Sequence, residues 1–438
     1  MYKSKSTTVI YSTVFILLIA FSFNCNNIDS SSDDGNNVTK SDRQKYEYIA
    51  PGTGFSNGCP TIVNNYLYIG TSSNIPTSNN YVYKFDLTLN KIWEFAIGPE
   101  SITGSPALDN FGNIYFITDS GRTTQFGSSA KLKLYSLDNN GNLRWSRYIG
   151  GNTVLVGMKC LAIAEDNSIY AAGDSLFAFD INGNIKWTYY NTYIPGGVNQ
   201  APVIDPNGNI YYASFGKVFS IDKNGNERWI YDLGEYSNCK SSPAFSSNYS
   251  SLIIAASKTV YSISTSNGSL IWKYSFNMNA DFRSTPAVDD NNIIYIGSHG
   301  NGGDNDESTL YALKADGSAI LWEKNHGSDF YSSPTLGNDR VIYIGSEGHG
   351  NTENKNNRIH AFNMSNGNRI WSAQLPNDVL WGSPILHTNG ILYVTTAYID
   401  GSTPSGIYGF QTDAARLLPN CGSPTLQLSN EHNGRRQW

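Results

Sequence analysis

Four residues occupy one recurring position in successive segments of the chain: Lys240 in KSSP, Arg283 in RSTP, Tyr331 in YSSP and Trp381 in WGSP, each three residues ahead of a proline. Two fixed cations beside two amphipathic aromatic faces suit an anionic or sugar-like group, or an acidic aromatic patch on a partner protein. The equivalent positions elsewhere are Asn57, Thr103, Gly157 and Asn199, so the set as a whole offers no carboxylate. No GxSxG, HExxH, P-loop or strand–helix GxGxxG pattern is present, and no catalytic residue is expected. His299 and His349 stand in matching contexts, HGNGG and HGNT, but without a carboxylate at a defined spacing. The acidic run DNDE at 304–307 lacks the spacing of a calcium loop, so no metal site is expected either. With 30 basic and 36 acidic side chains, the formal charge of −6 gives no electrostatic case for nucleic acid.

What would hold these four side chains at one level is a repeated unit, clearest between Ala201 and Trp229. Short apolar runs alternate there with DPNGN and KNGN turns, in which Asn and Gly accept the positive φ of tight hairpins. The unit reads as four antiparallel strands, a to d, with the tryptophan on d. One such sheet cannot bury both faces and must stack on copies of itself. Closing tryptophans recur at Trp93, Trp145, Trp187, Trp229, Trp272, Trp322 and Trp371, between 42 and 52 residues apart. Strand-a entrances number eight: CP at 59–60, SP at 105–106, KC at 159–160, AP at 201–202, SP at 242–243, TP at 285–286, SP at 333–334 and SP at 383–384. The missing eighth closing strand is found at the other end of the chain, where KYEYIAPG at 45–52 puts Tyr46 at the tryptophan position. The expected architecture is all-β, a single eight-bladed β-propeller of four-stranded antiparallel blades, its ring closed by the N-terminal strand completing the last blade. Strand direction places the entrances and the b-to-c hairpins on one rim. The hairpins of blades six, seven, eight, one and two are long and those of three to five short, which gives that rim a continuous arc of long loops.

The segments AFNMSNGNRIW at 361–371, SISTSNGSLIW at 262–272 and AFDINGNIKW at 178–187 resemble the tryptophan-docking repeat of the quinoprotein (PQQ-like) propellers, Ala-x-Asp-x-x-x-Gly-x-x-x-Trp. The resemblance covers about residues 45–413 and implies that the seven tryptophans are structural, packing between blades. Enzymes of that family bind pyrroloquinoline quinone with Ca²⁺ beside two adjacent cysteines and a catalytic Asp. This chain has no adjacent cysteines. The family also has non-catalytic members, among them the propeller lipoprotein of the outer-membrane barrel-assembly machinery, similar to this chain in size, anchor and blade count. The resemblance implies a fold more than a function.

Lys3 and Lys5 precede an apolar run, Val9–Phe23, that ends at FSFN-Cys25 and gives way to a polar stretch with Asp29, Asp33 and Asp34. This resembles a bacterial lipoprotein signal, although Phe23 and Asn24 depart from the usual box, and it implies lipidation of Cys25. Residues 1–24 then form the signal peptide, 25–44 a lipidated flexible tether, 45–413 the propeller and 414–438 a C-terminal tail. Cys59, Cys160, Cys239 and Cys421 remain. Cys59 and Cys160 stand at entrances two blades apart, beyond bridging distance, and buried thiols are expected. The functional expectation is a lipid-anchored, non-enzymatic scaffold, monomeric, without cofactor, binding an envelope protein or glycan from the periplasmic or surface face of the outer membrane. A PQQ-dependent periplasmic dehydrogenase and a surface adhesin are the alternatives.

Overall fold

The computed structural model describes residues 42–418, apart from segments between strands of which the longest are 121–130, 151–160, 191–200, 301–307, 348–356 and 397–404. The repeating unit is seen whole in blade four. Val203–Ile204, Ile210–Ser214, Lys217–Ile221 and Glu227–Asp232 pair in that order as one antiparallel sheet. Its turns are held by aspartates. The Asp205 carboxylate accepts the N–H groups of Asn207 and Asn209, and Asp222 does the same for Asn224 and Asn226.

Eight such sheets form an eight-bladed β-propeller, with no helix among the described residues. Blade eight joins Ile385–Leu386, Ile391–Thr395 and Gly406–Gln411 to the N-terminal strand Gln44–Ile49. In that pairing Tyr46 lies opposite Gly409 and Tyr48 opposite Ile407. A register irregularity precedes Tyr46 as one precedes Trp145, so Tyr46 stands where the other blades carry tryptophan. The two ends of the chain therefore close the ring, and no blade is left with an open fourth edge. Beyond Gln411 the described residues, as far as Leu418, stay on the ring. Ala414 and Leu418 are buried, and the Leu418 N–H donates to the Leu336 carbonyl at 2.8 Å.

Three devices hold the blades together, each traceable to a residue type in the repeat. The first is the tryptophan. Six of the seven indoles donate Nε1–H to a backbone carbonyl of the following blade, as Trp187 does to Lys223 at 2.9 Å and Trp322 to Met364 at 2.9 Å. A positive-φ glycine in the next blade's c-to-d turn lies flat on each of these rings: a Cβ on Gly225 would stand 2.8 Å from Trp187, and one on Gly317 2.3 Å from Trp272. Only glycine allows that approach. Trp371 instead carries the Arg43 guanidinium 5.4 Å above its ring, where the chain end replaces a c-to-d turn.

The second device is a tyrosine on strand b. Tyr68, Tyr115, Tyr170, Tyr211, Tyr295, Tyr343 and Tyr393 are all fully or almost fully buried. Tyr115, Tyr211 and Tyr343 donate their hydroxyls to Asp109, Asp205 and Asp339 of the a-to-b turns. These three thus tie a turn to the interior and pack near the tryptophan of their own blade, Tyr211 at 5.8 Å from Trp229. The third device is a belt around the channel. At five entrances the N–H of the residue before the proline donates to the hydroxyl before the proline of the next blade. The links run Cys59 to Ser105, Ala201 to Ser242, Ser242 to Thr285, Thr285 to Ser333 and Ser333 to Ser383. Ser383 carries it on to blade one by donating to the Cys59 Sγ at 3.0 Å. Cys59 and Cys239 are buried free thiols, and burial pushes the Cys239 thiol up to about 12. Cys160 and Cys421 lie outside the described residues, as does Cys25.

Candidate functional site

Directly above this belt, two residues further from each proline, stand the mouth residues. In blade six the innermost strand is broken into Asp281–Phe282 and Ala287–Val288, and Arg283 opens the break. Blade two breaks in the same way, between Ser101–Ile102 and Ala107–Leu108, around Thr103. The interruption lets the upper piece pair with the end of strand b, so that Asp281 lies directly opposite His299. In blade seven the same position is a single bridge, Asp329 opposite Glu347.

Three of the four residues singled out from sequence come together here, around a carboxylate. Lys240 Nζ lies 3.1 Å from Asp281 Oδ2, and Arg283 Nε lies 3.1 Å from Asp281 Oδ1. The Arg283 guanidinium also donates to the Tyr331 hydroxyl and has its carbon 4.9 Å from the Tyr331 ring centroid. Trp381, and the loop residues 304–307 and His349, lie outside the described residues. So do most of the long b-to-c hairpins of the expected arc.

Two sequence expectations need correcting. The mouth does carry carboxylates: Asp281 and Asp329 sit two residues before Arg283 and Tyr331. On an extended segment, residues i and i+2 face the same side. His299 and His349 do not occupy matching places. The register makes Glu347 the counterpart of His299, because each stands across from the aspartate five residues before its blade's entrance proline.

The resulting cluster crosses from blade five to blade seven. His299, with a side chain only 6% exposed, has Nδ1 3.6 Å from Asp281 Oδ1 and Nε2 3.1 Å from Asp329 Oδ2. Its ring meets that of Tyr331 edge-on at 4.3 Å. Asp329 is fully buried, and its Oδ1 accepts the Gly300 N–H at 2.7 Å and the Ser308 hydroxyl. Burial alone would raise the Asp281 carboxyl. The neighbouring His299 imidazole, the hydrogen bond from Lys240 and the Arg283 charge outweigh it and hold the group well below the usual carboxylate range. Burial pushes the Tyr331 phenol up to about 12 although Arg283 pulls it down. At neutral pH the mouth therefore presents a neutral phenol, an ionised Asp281 and two cations already paired to it.

The fold is shared with known proteins. Among solved structures, BamB from Moraxella catarrhalis superposes with a TM-score of 0.60 at 15% identity, over 84% of this chain and 99% of that one. A europium-containing methanol dehydrogenase gives a TM-score of 0.66 at 13% identity, over 84% and 93% of the two chains. The quinohemoprotein alcohol dehydrogenase ADHIIG from Pseudomonas putida HK5 gives 0.61 at 12% identity, over 85% and 76%. At such identities the likeness is one of fold. No curated protein sequence matches the chain. The sequence model of the PQQ_2 family, described as outer membrane protein assembly factor BamB, matches residues 78–267 and 256–406, and the chain is a member of that family of PQQ-like propellers.

Proposed function

We propose that this chain is a lipid-anchored, non-enzymatic propeller scaffold of the bacterial cell envelope, which captures a protein or glycan partner at the rim formed by blades five to eight. The observation that carries the reading is the family match over residues 78–406, under the description of an outer-membrane assembly factor. The site lies on the entrance rim, where Arg283 and Tyr331 are held rigidly against each other by the broken strand and the hydroxyl belt below. Arg and Tyr on a rigid, half-buried ledge are the side chains that dominate binding energies at protein interfaces. Trp381, outside the described residues, holds the same repeat position in blade eight. Cys25 supplies the lipid anchor, and the polar stretch after it the tether that lets the ring stand clear of the membrane.

Quinone chemistry fits this mouth poorly. Among the described residues, the mouth cations Lys240 and Arg283 are both engaged by Asp281, and the chain has no adjacent cysteines. The test is affinity capture from native membranes followed by mass spectrometry, with wild type, Arg283→Ala and Tyr331→Ala compared. The mouth variants should lose about tenfold in partner capture, since truncating such a residue typically costs about 2 kcal/mol in binding. Asn142→Ala and Asn226→Ala, in c-to-d turns of the opposite rim, should leave capture unchanged. Full capture by both mouth variants, or a bound quinone spectrum after incubation with PQQ and Ca²⁺, overturns the proposal.

A further inference from the structure

The seam between blades six and seven carries more than a binding ledge requires. The extra bridges at the top of these two blades place Asp281 and Asp329 at one repeat position and His299 and Glu347 at the position across from it. In blade one the same bridge joins Gly54 and Ser72, and in blade two Ser101 faces Asp119. Among the described residues, only blades six and seven fill all four places with groups able to bind a metal, and they do so side by side. One donor atom each from His299, Asp329 and Glu347 lies within 4.8 Å of the others.

We propose that these three side chains hold one divalent transition-metal ion between blades six and seven, with Asp281 orienting the histidine. The geometry is that of a metal site and its support. Two ligands on one ion with bonds of about 2.0–2.2 Å stand roughly 3.3 Å apart at a tetrahedral angle, and His299 Nε2 is 3.1 Å from Asp329 Oδ2. Asp329 is fixed for the task. Its Oδ1 is held by the Gly300 N–H and the Ser308 hydroxyl, which turns Oδ2 towards the imidazole. Asp281 faces Nδ1 of the same ring, the arrangement in which a carboxylate fixes the tautomer and orientation of a metal-bound histidine. Glu347 is less deeply buried than the other two. Bringing donor atoms within 4.8 Å of one another to the roughly 3.3 Å spacing of ligands on one ion asks for movements of about 1–1.5 Å, within reach of the long Glu347 side chain.

The donor set selects the class of ion. One imidazole with two carboxylates suits Zn²⁺, Co²⁺ or Mn²⁺, whereas Ca²⁺ takes six to eight oxygens and does not favour a buried nitrogen donor. Three protein ligands leave a coordination position for water or for a donor from whatever occupies the mouth. This site is independent of the partner's identity and stands or falls separately from the scaffold reading.

The test uses the full chain, stripped with chelator and dialysed, titrated with Zn²⁺ by calorimetry and with Co²⁺ by absorption. One equivalent should bind at micromolar concentration or tighter, with a Co²⁺ visible spectrum of four- or five-coordinate intensity and a raised melting temperature. His299→Gln and Glu347→Gln should each lose that equivalent. Asp281→Asn should weaken it about 10- to 100-fold while leaving the spectrum's shape. Asp329 also anchors backbone, so the other three positions decide the matter, each variant checked for an unchanged circular dichroism spectrum. Stoichiometric binding that survives both His299→Gln and Glu347→Gln, or no stoichiometric binding of Zn²⁺ or Co²⁺ by the wild type, overturns the proposal.

Discussion

The glycine-on-tryptophan contacts can be tested by adding a single methyl group. Gly317 has φ +67°, and a Cβ there would lie 2.3 and 2.4 Å from two ring atoms of Trp272. Gly208 has φ +80°, but its Cβ would meet nothing closer than 3.5 Å. Both Gly→Ala substitutions carry the left-handed backbone penalty of about 1–2 kcal/mol. Both are offset by roughly 0.4–1 kcal/mol through a stiffer unfolded chain. The net cost at Gly208 should thus be about 1 kcal/mol or less. At Gly317 the indole must also move away. That breaks the Trp272 Nε1–H bond to the Ala315 carbonyl, at about 1 kcal/mol. It also exposes part of an aromatic surface; about 100 Å² at roughly 25 cal/mol per Å² adds some 2.5 kcal/mol. Gly317→Ala should therefore be destabilising by about 3.5 kcal/mol more than Gly208→Ala. Urea unfolding followed by tryptophan fluorescence and circular dichroism, with midpoints compared at a shared slope, measures the difference. Equal midpoints for the two variants would refute the idea that ring stacking holds neighbouring blades together.

Two further outcomes follow from the closure and from the buried tyrosines. A chain beginning at Phe55 lacks Gln44–Ile49 and the Tyr48 ring packed 4.6 Å from Phe85, so it should melt roughly 10 °C lower and aggregate through the bared edge of Gly406–Gln411; a melting point within about a degree of the full chain rules the closure out. Burial pushes the phenols of Tyr115, Tyr170, Tyr211 and Tyr393 up to about 12, whereas in the unfolded chain they ionise near 10. The native state keeps protons that the unfolded state releases, so this contribution is intact below pH 10 and is lost between pH 10 and 12. At pH 11 each such group costs about 1.4 kcal/mol, and the urea midpoint should fall steeply from pH 9 to 11; tyrosinate absorbance that develops fully near pH 10 with the fold intact contradicts it.

The architecture was legible because it rests on periodic signals: the entrance pairs, the turn glycines, and a tryptophan every 42 to 52 residues. Tyr46 could be placed by the same means, since closure makes the first strand the last of the pattern. The mouth was legible only in part. Lys240, Arg283 and Tyr331 share a repeat position, and that placed them together. Asp281 was within reach of the same reasoning, two residues along an extended strand from Arg283, but it lies where blade six breaks its innermost strand, and the repeat pattern does not show the break. The pairing of His299 with Asp281 and of Asp329 with Glu347 depends on antiparallel register at the ends of hairpins of unequal length. That register is set by hydrogen bonds, not by composition. Counting from the loop glycines matched His299 to His349, whereas the ladder matches it to Glu347. Strand-b tyrosines stand in seven of the eight blades and an entrance hydroxyl in five, but a Tyr or Ser reveals its hydrogen-bond partner only once two blades are side by side.

The distribution of charge around the ring separates what holds the propeller together from what it does. Between blades three and four the seam is built from Ala162, Tyr170 and Ala178 against Ile204, Tyr212 and Phe219, apolar contacts that need no ionised group. At the top of the seam between blades six and seven, a fully buried aspartate and a nearly buried histidine are placed together, with a second aspartate behind them and a glutamate beside them. Burying such groups is costly, and replacing them with apolar side chains of similar volume is often neutral or stabilising. Ring cohesion is already supplied there by Trp322 on Met364 and by the hydroxyl link from Thr285 to Ser333. A local rule broken at this seam, with the cohesive contacts intact beneath it, is the pattern expected of a functional site. The same seam borders Arg283 and Tyr331, so the ledge that would grip a partner and the cluster that would hold an ion are parts of one rim.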